Sequence, residues 1–155
     1  LNNLARTFGK KIELDGYETY SFPEKIDYPG ATKDLGLGFR AKFVDYAFKK
    51  VSNEWLYSLR NRPYEEAKNE LQKLPGVGPK IADCVLLFSL GFGQAFPVDV
   101  WIKRVMEELY FNSQKTPEKK IAEFAQEYFG KNAGYAQQFL YHYRRLLEPN
   151  AKMPK

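Results

Sequence analysis

Two closely spaced glycines between two helical patterns constrain this chain more than any other feature of its sequence. Residues 74–80 read Leu-Pro-Gly-Val-Gly-Pro-Lys. Gly76 and Gly78 break the first helical pattern, and Pro79 suits the first turn of the next helix. The segment therefore predicts a helix-hairpin-helix over about residues 64–91. Because convincing alternating strands are absent from the sequence, we predict an all-α helical bundle built around this hairpin.

The hairpin has the composition of a backbone that binds phosphate. Glycine lets a phosphate approach the main chain closely, and a helix N-terminus adds partial positive charge. Gly76 and Gly78 are therefore candidate contacts to a DNA backbone, which would be held without being read in sequence. The alternative is an ordinary turn between helices, since Pro-Gly segments also form turns. A net charge of +5 on 155 residues favours nucleic acid only mildly.

Lys80 and Asp99 are the candidate catalytic residues. Lys80 lies at the start of the second hairpin helix. An amine nucleophile must be neutral, and both a helix N-terminus and apolar neighbours favour the neutral form of a lysine. The alternative for Lys80 is one more phosphate contact. Asp99 is a good N-cap for the helix that follows it, and by itself it predicts capping rather than catalysis.

The composition excludes several other kinds of site. The single cysteine, Cys84, excludes an intramolecular disulfide framework and a cysteine-ligated cluster. The single histidine, His142, counts against a conventional zinc site. The longest apolar run, residues 85–90, is too short to span a membrane, and no signal peptide is visible. We therefore expect a cytoplasmic protein, associated with the nucleoid if it is prokaryotic.

Turn and cap signals set the remaining predicted boundaries. Residues 11–31, which hold several glycines and prolines, predict an ordered loop. Thr116 predicts an N-cap for a helix that Gly130 ends. The other predicted helices are 39–51, 100–109 and 135–147.

Several motifs carry a resemblance to a known family. Residues 74–80, together with Pro-Val-Asp at 97–99, resemble the signature of the helix-hairpin-helix, Gly/Pro-Asp superfamily of DNA glycosylases. Four further motifs resemble 8-oxoguanine DNA glycosylases and occur in that family's order: Leu-Gly-Leu-Gly-Phe-Arg-Ala at 35–41, Tyr-Glu-Glu-Ala at 64–67, Lys-Ile-Ala-Asp-Cys at 80–84 and Gly-Tyr-Ala-Gln at 134–137. Trp101 and Tyr141 replace a histidine and a phenylalanine of vertebrate members, which suggests a prokaryotic member.

The resemblance implies a base excision repair enzyme that flips 8-oxoguanine out of duplex DNA and removes it. Such an enzyme is both a DNA N-glycosylase and an abasic-site lyase. Lys80 falls on the nucleophile that attacks C1′ of the sugar and forms a Schiff base. Asp99 falls on the aspartate that stabilises positive charge developing on the sugar.

The resemblance also implies where the flipped base lies. The base would lie between Cys84 and Tyr141, with Gln137 on its Watson–Crick edge. Cys84 is four residues after Lys80, and Tyr141 is four after Gln137, so each pair shares a helix face. Phe88, one turn beyond Cys84, would line the same pocket. Core packing is the alternative for Cys84 and Tyr141.

The remaining implied contacts are to DNA and to a cation. Phe39 falls on the ring that fills the gap left by the flipped base, and Arg40 on the arginine that contacts the widowed cytosine. Trp101 stands where vertebrate members carry a histidine that touches phosphate. Separately, Gly76, Gly78 and Lys80 match the hairpin amides that hold a phosphate. No cofactor is required, but the carbonyls of Gln72, Leu74 and Val77 match those that bind a monovalent or divalent cation. We expect a monomer whose partner is double-stranded DNA with 8-oxoguanine opposite cytosine, and no membrane.

Residues 1–155 are expected to be the helical catalytic region of a longer protein. The chain does not begin with Met, and the resemblance implies a β-rich N-terminal domain that helps select the base. Two alternatives stay open. A non-catalytic helix-hairpin-helix module would need Gly76 and Gly78 but neither Lys80 nor Asp99. An endonuclease III-like glycosylase for oxidised pyrimidines would share both catalytic residues, but usually carries four cysteines for a cluster.

Overall fold

Helices form most of the part of the chain that the structure describes, and one small sheet accompanies them there. The computed structural model describes residues 1–26 and 32–147. In chain order its elements are α1 (Asn2–Phe8), β1 (Lys11–Leu14), β2 (Tyr17–Tyr20), α2 (Ala41–Lys50), α3 (Asn53–Ser58), α4 (Tyr64–Gln72), α5 (Pro79–Phe88), α6 (Val100–Tyr110), α7 (Glu118–Phe129) and α8 (Ala133–Leu147). Short 3-10 helices at Gly38–Arg40, Leu59–Asn61 and Gly130–Asn132 precede α2, α4 and α8. The all-α class is confirmed, with a two-stranded sheet in addition.

The chain divides into two compact units. The first contains Leu1–Leu56 and Leu74–Gly76, and the second contains Tyr57–Lys73 and Val77–Lys155. The first unit has a small core in which Leu4 and Ile26 are buried. Partly buried side chains of Phe8, Leu35, Val44 and Phe48 pack against those two residues.

An antiparallel hairpin occupies part of the segment for which we predicted a loop. Strand β1 pairs with β2 from Lys11 opposite Tyr20 to Leu14 opposite Tyr17. Asp15 and Gly16 form the turn with φ of 49° and 79°, the left-handed conformation that Asp-Gly favours in two-residue hairpins. Strand β1, Lys-Ile-Glu-Leu, alternates polar and apolar residues over four positions only, and every residue of the two strands except Tyr20 is exposed. Residues 27–31 of the predicted loop lie outside the described residues.

The second unit packs α4 against α5, and α8 against both α6 and α7. Its core consists of Phe96, Val98, Ile102, Met106, Ile121, Ala125 and Ala133. Gly93 and Gly134 allow two backbone segments to meet here, and the Gly134 N–H donates to the Gly93 carbonyl at 2.8 Å. A Cβ on Gly93 would lie 2.5 Å from the Lys131 carbonyl oxygen, so this approach requires glycine.

Most predicted helix boundaries are confirmed within a few residues, but one predicted cap is wrong. Gly130 ends α7 with φ 57°, as predicted. Thr116 does not cap that helix, which begins after Pro117. Its N–H donates to Glu107 Oε1 at 2.8 Å, and its hydroxyl donates to the Gln114 carbonyl at 3.0 Å. Thr116 therefore ties the preceding loop to α6 instead of opening α7.

Among the described residues, no helix combines the length and the apolar character needed to cross a membrane.

Candidate active site

Lys80 lies in the first turn of α5, directly after Pro79 at the first helical position. The helix begins at Gly78, whose φ of −90° and ψ of 179° are extended. A Cβ on Gly78 would meet nothing within 4 Å, so neither backbone strain nor crowding requires glycine there. The Lys80 side chain is exposed, next to helix N–H groups that have no intrahelical partner. This helix start has the open backbone and charge that a phosphate needs.

Gly76 differs from Gly78 because its own unit requires it to be glycine. Its φ is +82°, in the left-handed region that side chains disfavour. A Cβ there would lie 2.6 Å from two ring carbons of Phe43. Backbone conformation and the Phe43 ring together explain why residue 76 is glycine. Neither backbone conformation nor crowding explains the glycine at residue 78 within the described structure.

Asp99 caps α6, as predicted. One oxygen of its carboxylate, Oδ1, accepts the Ile102 N–H at 2.8 Å, and the residue is partly buried. The bond satisfies one of the free N–H groups of the helix start and fixes the carboxylate in position. The second carboxylate oxygen of such a cap can still face a substrate.

Cys84 lies within electrostatic range of both predicted catalytic residues. Burial raises the pKa of the Cys84 thiol, Lys80 opposes that rise, and Asp83 and Asp99 reinforce it. A raised pKa keeps the thiol protonated at neutral pH, which counts against Cys84 as a nucleophile. Its place in the wall of a base pocket stays a prediction. The structure thus brings Lys80, Cys84 and Asp99 together in one unit.

Gln137 is buried, and both ends of its amide group have partners. Its Nε2 donates to the Pro97 carbonyl at 3.2 Å, and its Oε1 accepts from Gln138. The bond to Pro97 holds α8 to the segment that leads to Asp99. Tyr141 packs against the core of the second unit, as its alternative predicts, and Phe88 is 61% exposed. The roles of Gln137, Tyr141 and Phe88 in a base pocket stay predictions.

Phe39 is an exposed ring on the first unit. It precedes α2 within the 3-10 helix and is 70% exposed. The Arg40 guanidinium lies 4.8 Å from the centre of its ring, and Phe43 meets the ring edge-on. An exposed apolar ring beside a cation suits contact with stacked bases and phosphates, and this assignment stays a prediction. In the second unit, Trp101 is partly buried, with the Arg104 guanidinium 5.5 Å from its ring centre.

A buried ion pair beside Lys80 is a feature that our sequence reasoning missed. Asp83 Oδ2 lies 2.9 Å from Lys68 Nζ, and Asp83 Oδ1 accepts from the Tyr64 hydroxyl at 2.6 Å. The signal was present, because Asp83 is the one acid in a helix that is otherwise apolar after Lys80, and Tyr64 and Lys68 share a face of α4. Lys68, Asp83 and Lys80 all line a groove of about 520 Å³ between α4, α5 and α7.

No family model matches this sequence. A probable N-glycosylase/DNA lyase from Methanothermobacter thermautotrophicus is 33% identical over 114 residues, which cover 73% of this chain and 36% of that protein. An N-glycosylase/DNA lyase from Arabidopsis thaliana is 32% identical over 145 residues, covering 83% of this chain and 40% of that protein.

A solved structure extends the match to almost the whole chain. The Clostridium acetobutylicum 8-oxoguanine glycosylase/lyase, in complex with double-stranded DNA containing cytosine opposite 8-oxoguanine, superposes with a TM-score of 0.84. The two sequences are 36% identical, and the match covers 95% of this chain and 52% of the Clostridium chain. This chain is a homologue of the 8-oxoguanine glycosylase/lyases. It spans roughly a third to a half of the length of the proteins it matches.

The family resemblance inferred from the motifs is therefore confirmed. The roles predicted for the individual site residues stay predictions. The predicted cation ligands are one example. Gln72 is the last residue of α4, and carbonyls at a helix end lack intrahelical partners, which suits a cation. Leu74 belongs to the first unit, whereas Gln72 and Val77 belong to the second.

Proposed function

We propose that this chain carries the catalytic residues of a DNA glycosylase and abasic-site lyase that removes 8-oxoguanine opposite cytosine in duplex DNA. The observation that carries the proposal is the extended match to the Clostridium 8-oxoguanine glycosylase/lyase in complex with DNA. The location of Lys80, Cys84 and Asp99 in one unit supports it. The proposal concerns the protein's activity, its substrate and its DNA partner alike.

The proposed reaction begins with the neutral amine of Lys80. Its nitrogen attacks C1′ of the damaged nucleotide, the glycosidic bond breaks, and the bonding electron pair leaves with the base, which gains a proton. The amine loses a proton, the sugar ring opens as O4′ is protonated, and a Schiff base joins Nζ to C1′. β-Elimination then removes a proton from C2′ and breaks the C3′–O bond. The Asp99 carboxylate stabilises positive charge that develops on the sugar during the first step.

The damaged base must leave the DNA double helix before Lys80 can reach its sugar, and this flipping costs a few kcal/mol. Phe39 fills the vacated space in this scheme, and Arg40 contacts the unpaired cytosine. The flipped base enters between Cys84 and Tyr141. Because Gln137 already has partners at both amide ends, its amide must exchange at least one of them to bind the base edge. The backbone N–H groups at the start of α5 hold a phosphate.

Borohydride trapping tests this proposal. We expect the chain to form a covalent adduct with a duplex that holds 8-oxoguanine opposite cytosine, because borohydride reduces the Schiff base to a stable amine. Lys80→Gln is expected to abolish the adduct, and Lys120→Gln, an exposed lysine on α7, is the matched control.

The alternatives give different outcomes in the same experiment. Persistence of the adduct in Lys80→Gln would overturn the assignment of the nucleophile. Binding of duplex DNA without any adduct would favour a non-catalytic binding module. Trapping on a duplex with an oxidised pyrimidine, and not on 8-oxoguanine, would favour an endonuclease III-like enzyme.

A further inference from the structure

The buried ion pair between Lys68 and Asp83 occupies the groove beside Lys80. The exposed fraction of the side chain is 14% for Lys68 and 3% for Asp83. Lys68 Nζ donates to Asp83 Oδ2 at 2.9 Å and to the Tyr64 hydroxyl oxygen at 3.1 Å. The Tyr64 hydroxyl donates to Asp83 Oδ1 at 2.6 Å. Both oxygens of the Asp83 carboxylate therefore have a donor from α4.

Stability gives only a weak reason for this arrangement. Removing two charges from water carries a desolvation penalty that often equals or exceeds their mutual attraction, so an apolar pair of similar volume would stabilise the fold as well. A second reason is suggested by the place of Asp83 on its helix. Asp83 follows Lys80 by three residues, which puts both side chains on one face of α5. Both line the same groove.

Other charged groups also face this groove. Helix α4 contributes Glu65, and α7 contributes Glu118, Lys119 and Glu123. Lys119 pairs with Glu123 at 3.8 Å and is 88% exposed at its side chain. Asp99, at the start of α6, acts on Cys84 together with Lys80 and Asp83. Among the lysines that line the groove, Lys80 is the one that shares helix α5 with Asp83, and it is the nearest to Asp83 in sequence.

We propose that Lys68 is a positioning residue for Lys80. By holding the Asp83 carboxylate, Lys68 prevents Asp83 from forming an ion pair with Lys80, so the Lys80 amine stays available for attack. This inference rests on the proposed function, in which Lys80 is the nucleophile. The reactivity of the Lys80 amine can nevertheless be measured in the free protein without DNA. A nearby carboxylate favours the protonated form of an amine, and a protonated amine is not a nucleophile.

Tyr64 strengthens the same arrangement. Burial, followed by its hydrogen bond and charge interaction with Asp83, raises the pKa of Tyr64 above its usual range. The phenol thus stays protonated across neutral and mildly alkaline pH and remains a donor to Asp83 Oδ1. Loss of the Tyr64 hydroxyl would release Asp83 Oδ1. Loss of Lys68 would release Asp83 Oδ2 and would also remove the positive charge that pairs with the carboxylate.

Three variants of the full chain separate this role from a structural one. Lys68→Gln removes the cation, Lys68→Arg keeps it, and Lys68→Gln combined with Asp83→Asn removes both charges. The readout is the pH midpoint at which trace acetic anhydride modifies Lys80 in the free protein, followed by mass spectrometry. We expect Lys68→Gln to raise the midpoint by about one pH unit, since a released carboxylate has effects of that size. Lys68→Arg and the double variant are expected to match the wild type.

Borohydride trapping on abasic-site DNA gives a second readout. Lys68→Gln is expected to trap about tenfold more slowly at neutral pH and to recover at higher pH, as a shift of about one pH unit requires. A purely structural role would slow trapping equally at every pH. Absence of trapping in the wild type would overturn the proposed function, while the labelling of free protein would still decide the role of Lys68.

The inference is overturned if Lys68→Gln is folded and leaves the Lys80 midpoint unchanged, or if the double variant keeps the shift. Lys68→Gln leaves a buried carboxylate short of a partner and risks unfolding. Tyr64→Phe is the milder second variant. It is expected to raise the midpoint in the same direction by a smaller amount, and no shift in a folded Tyr64→Phe protein would also overturn the inference.

Discussion

At the scale of single residues, the two hairpin glycines are glycine for different reasons. Gly76 has a left-handed φ and faces the Phe43 ring, so its own unit dictates the residue. Gly78 has an ordinary extended backbone and open space where a side chain would begin. The space beside Gly78 is the kind that a bound phosphate would fill. The same sequence motif therefore combines a structural residue with one that function explains better.

Gly76→Ala is expected to destabilise the protein through both strain and crowding. A left-handed φ costs an alanine about 1 kcal/mol, and the Phe43 ring must move as well, so we expect about 2 kcal/mol in urea unfolding. Gly91→Ala is the matched control, because Gly91 has φ +80° with nothing within 4 Å of a Cβ. It should lose the strain contribution alone. Equal losses in the two variants would contradict the role of Phe43.

Gly78→Ala is expected to leave stability near that of the wild type and to weaken DNA binding. Its Cβ meets no protein atom within 4 Å, but it would stand between a phosphate and the backbone N–H groups of α5. A loss of about tenfold in affinity, or about 1.4 kcal/mol, is expected in a fluorescence anisotropy titration. Unchanged affinity in Gly78→Ala would place the phosphate elsewhere.

Asp99 allows capping and catalysis to be separated by one substitution. Asparagine caps helices about as well as aspartate does, so Asp99→Asn should keep the bond to the Ile102 N–H and the melting temperature. Its loss of charge should slow base excision at least tenfold if the carboxylate stabilises a positive sugar. Asp99→Ala should lose about 1 kcal/mol of stability as well. Full activity of Asp99→Asn, measured by single-turnover excision, would leave capping as the only role.

At the scale of elements, close backbone approach decides how α8 joins the rest of its unit. The Gly134 N–H, at the start of α8, donates to the carbonyl of Gly93 in the segment after α5. The Gln137 amide repeats this connection one turn later through the Pro97 carbonyl. These bonds align the predicted pocket residues of α8 with the segment that carries Asp99, which sequence spacing alone does not establish.

Gly93→Ala is expected to cost more stability than Gly134→Ala. The added Cβ of Gly93→Ala would lie 2.5 Å from the Lys131 carbonyl oxygen, and a backbone atom cannot move without its segment. The added Cβ of Gly134→Ala would meet chiefly the end of the Leu87 side chain, at 2.2 Å, which can change rotamer. We expect about 2 kcal/mol for Gly93→Ala and about half of that for Gly134→Ala in urea unfolding. The reverse order would contradict this account of the contact.

At the scale of the whole molecule, two partly buried groups predict a loss of stability at alkaline pH. Burial raises the pKa of Cys84, and burial with the Asp83 bond raises that of Tyr64. A group whose pKa is raised in the folded state stabilises it at pH values below its ordinary pKa, and this contribution is lost as the pH rises. The ordinary values are 9.0 for the thiol and 10.0 for the phenol, so the loss begins near these values.

The melting temperature should accordingly fall as the pH rises from about 8 to about 11. Tyr64→Phe removes the phenol and should flatten the upper part of that fall. Tyr17→Phe, which changes a ring that is 82% exposed, is the matched control. An unchanged slope in Tyr64→Phe, measured by circular dichroism across this pH range, would contradict a partly buried phenol that stays protonated.

The sequence by itself determined the features that depend on neighbours along the chain. Short motifs predicted the helix-hairpin-helix, the cap at Asp99 and the helix end at Gly130, because turn and cap preferences act locally. Short motifs also carried the resemblance to the glycosylases. The hairpin of β1 and β2 had a local signal in Asp15-Gly16, but its strands are only four residues long, and they are exposed except at Tyr20, so the pattern of apolar residues was too short to predict them.

Only the tertiary structure decided which polar groups meet. Thr116 bonds to Glu107 rather than to its own helix, and Gln137 bonds to a segment distant in sequence. The pairing of Lys68 with Asp83 joins two helices across the hairpin. Such partners depend on how faces of different helices pack and on which groups are buried, and no spacing along one helix specifies either.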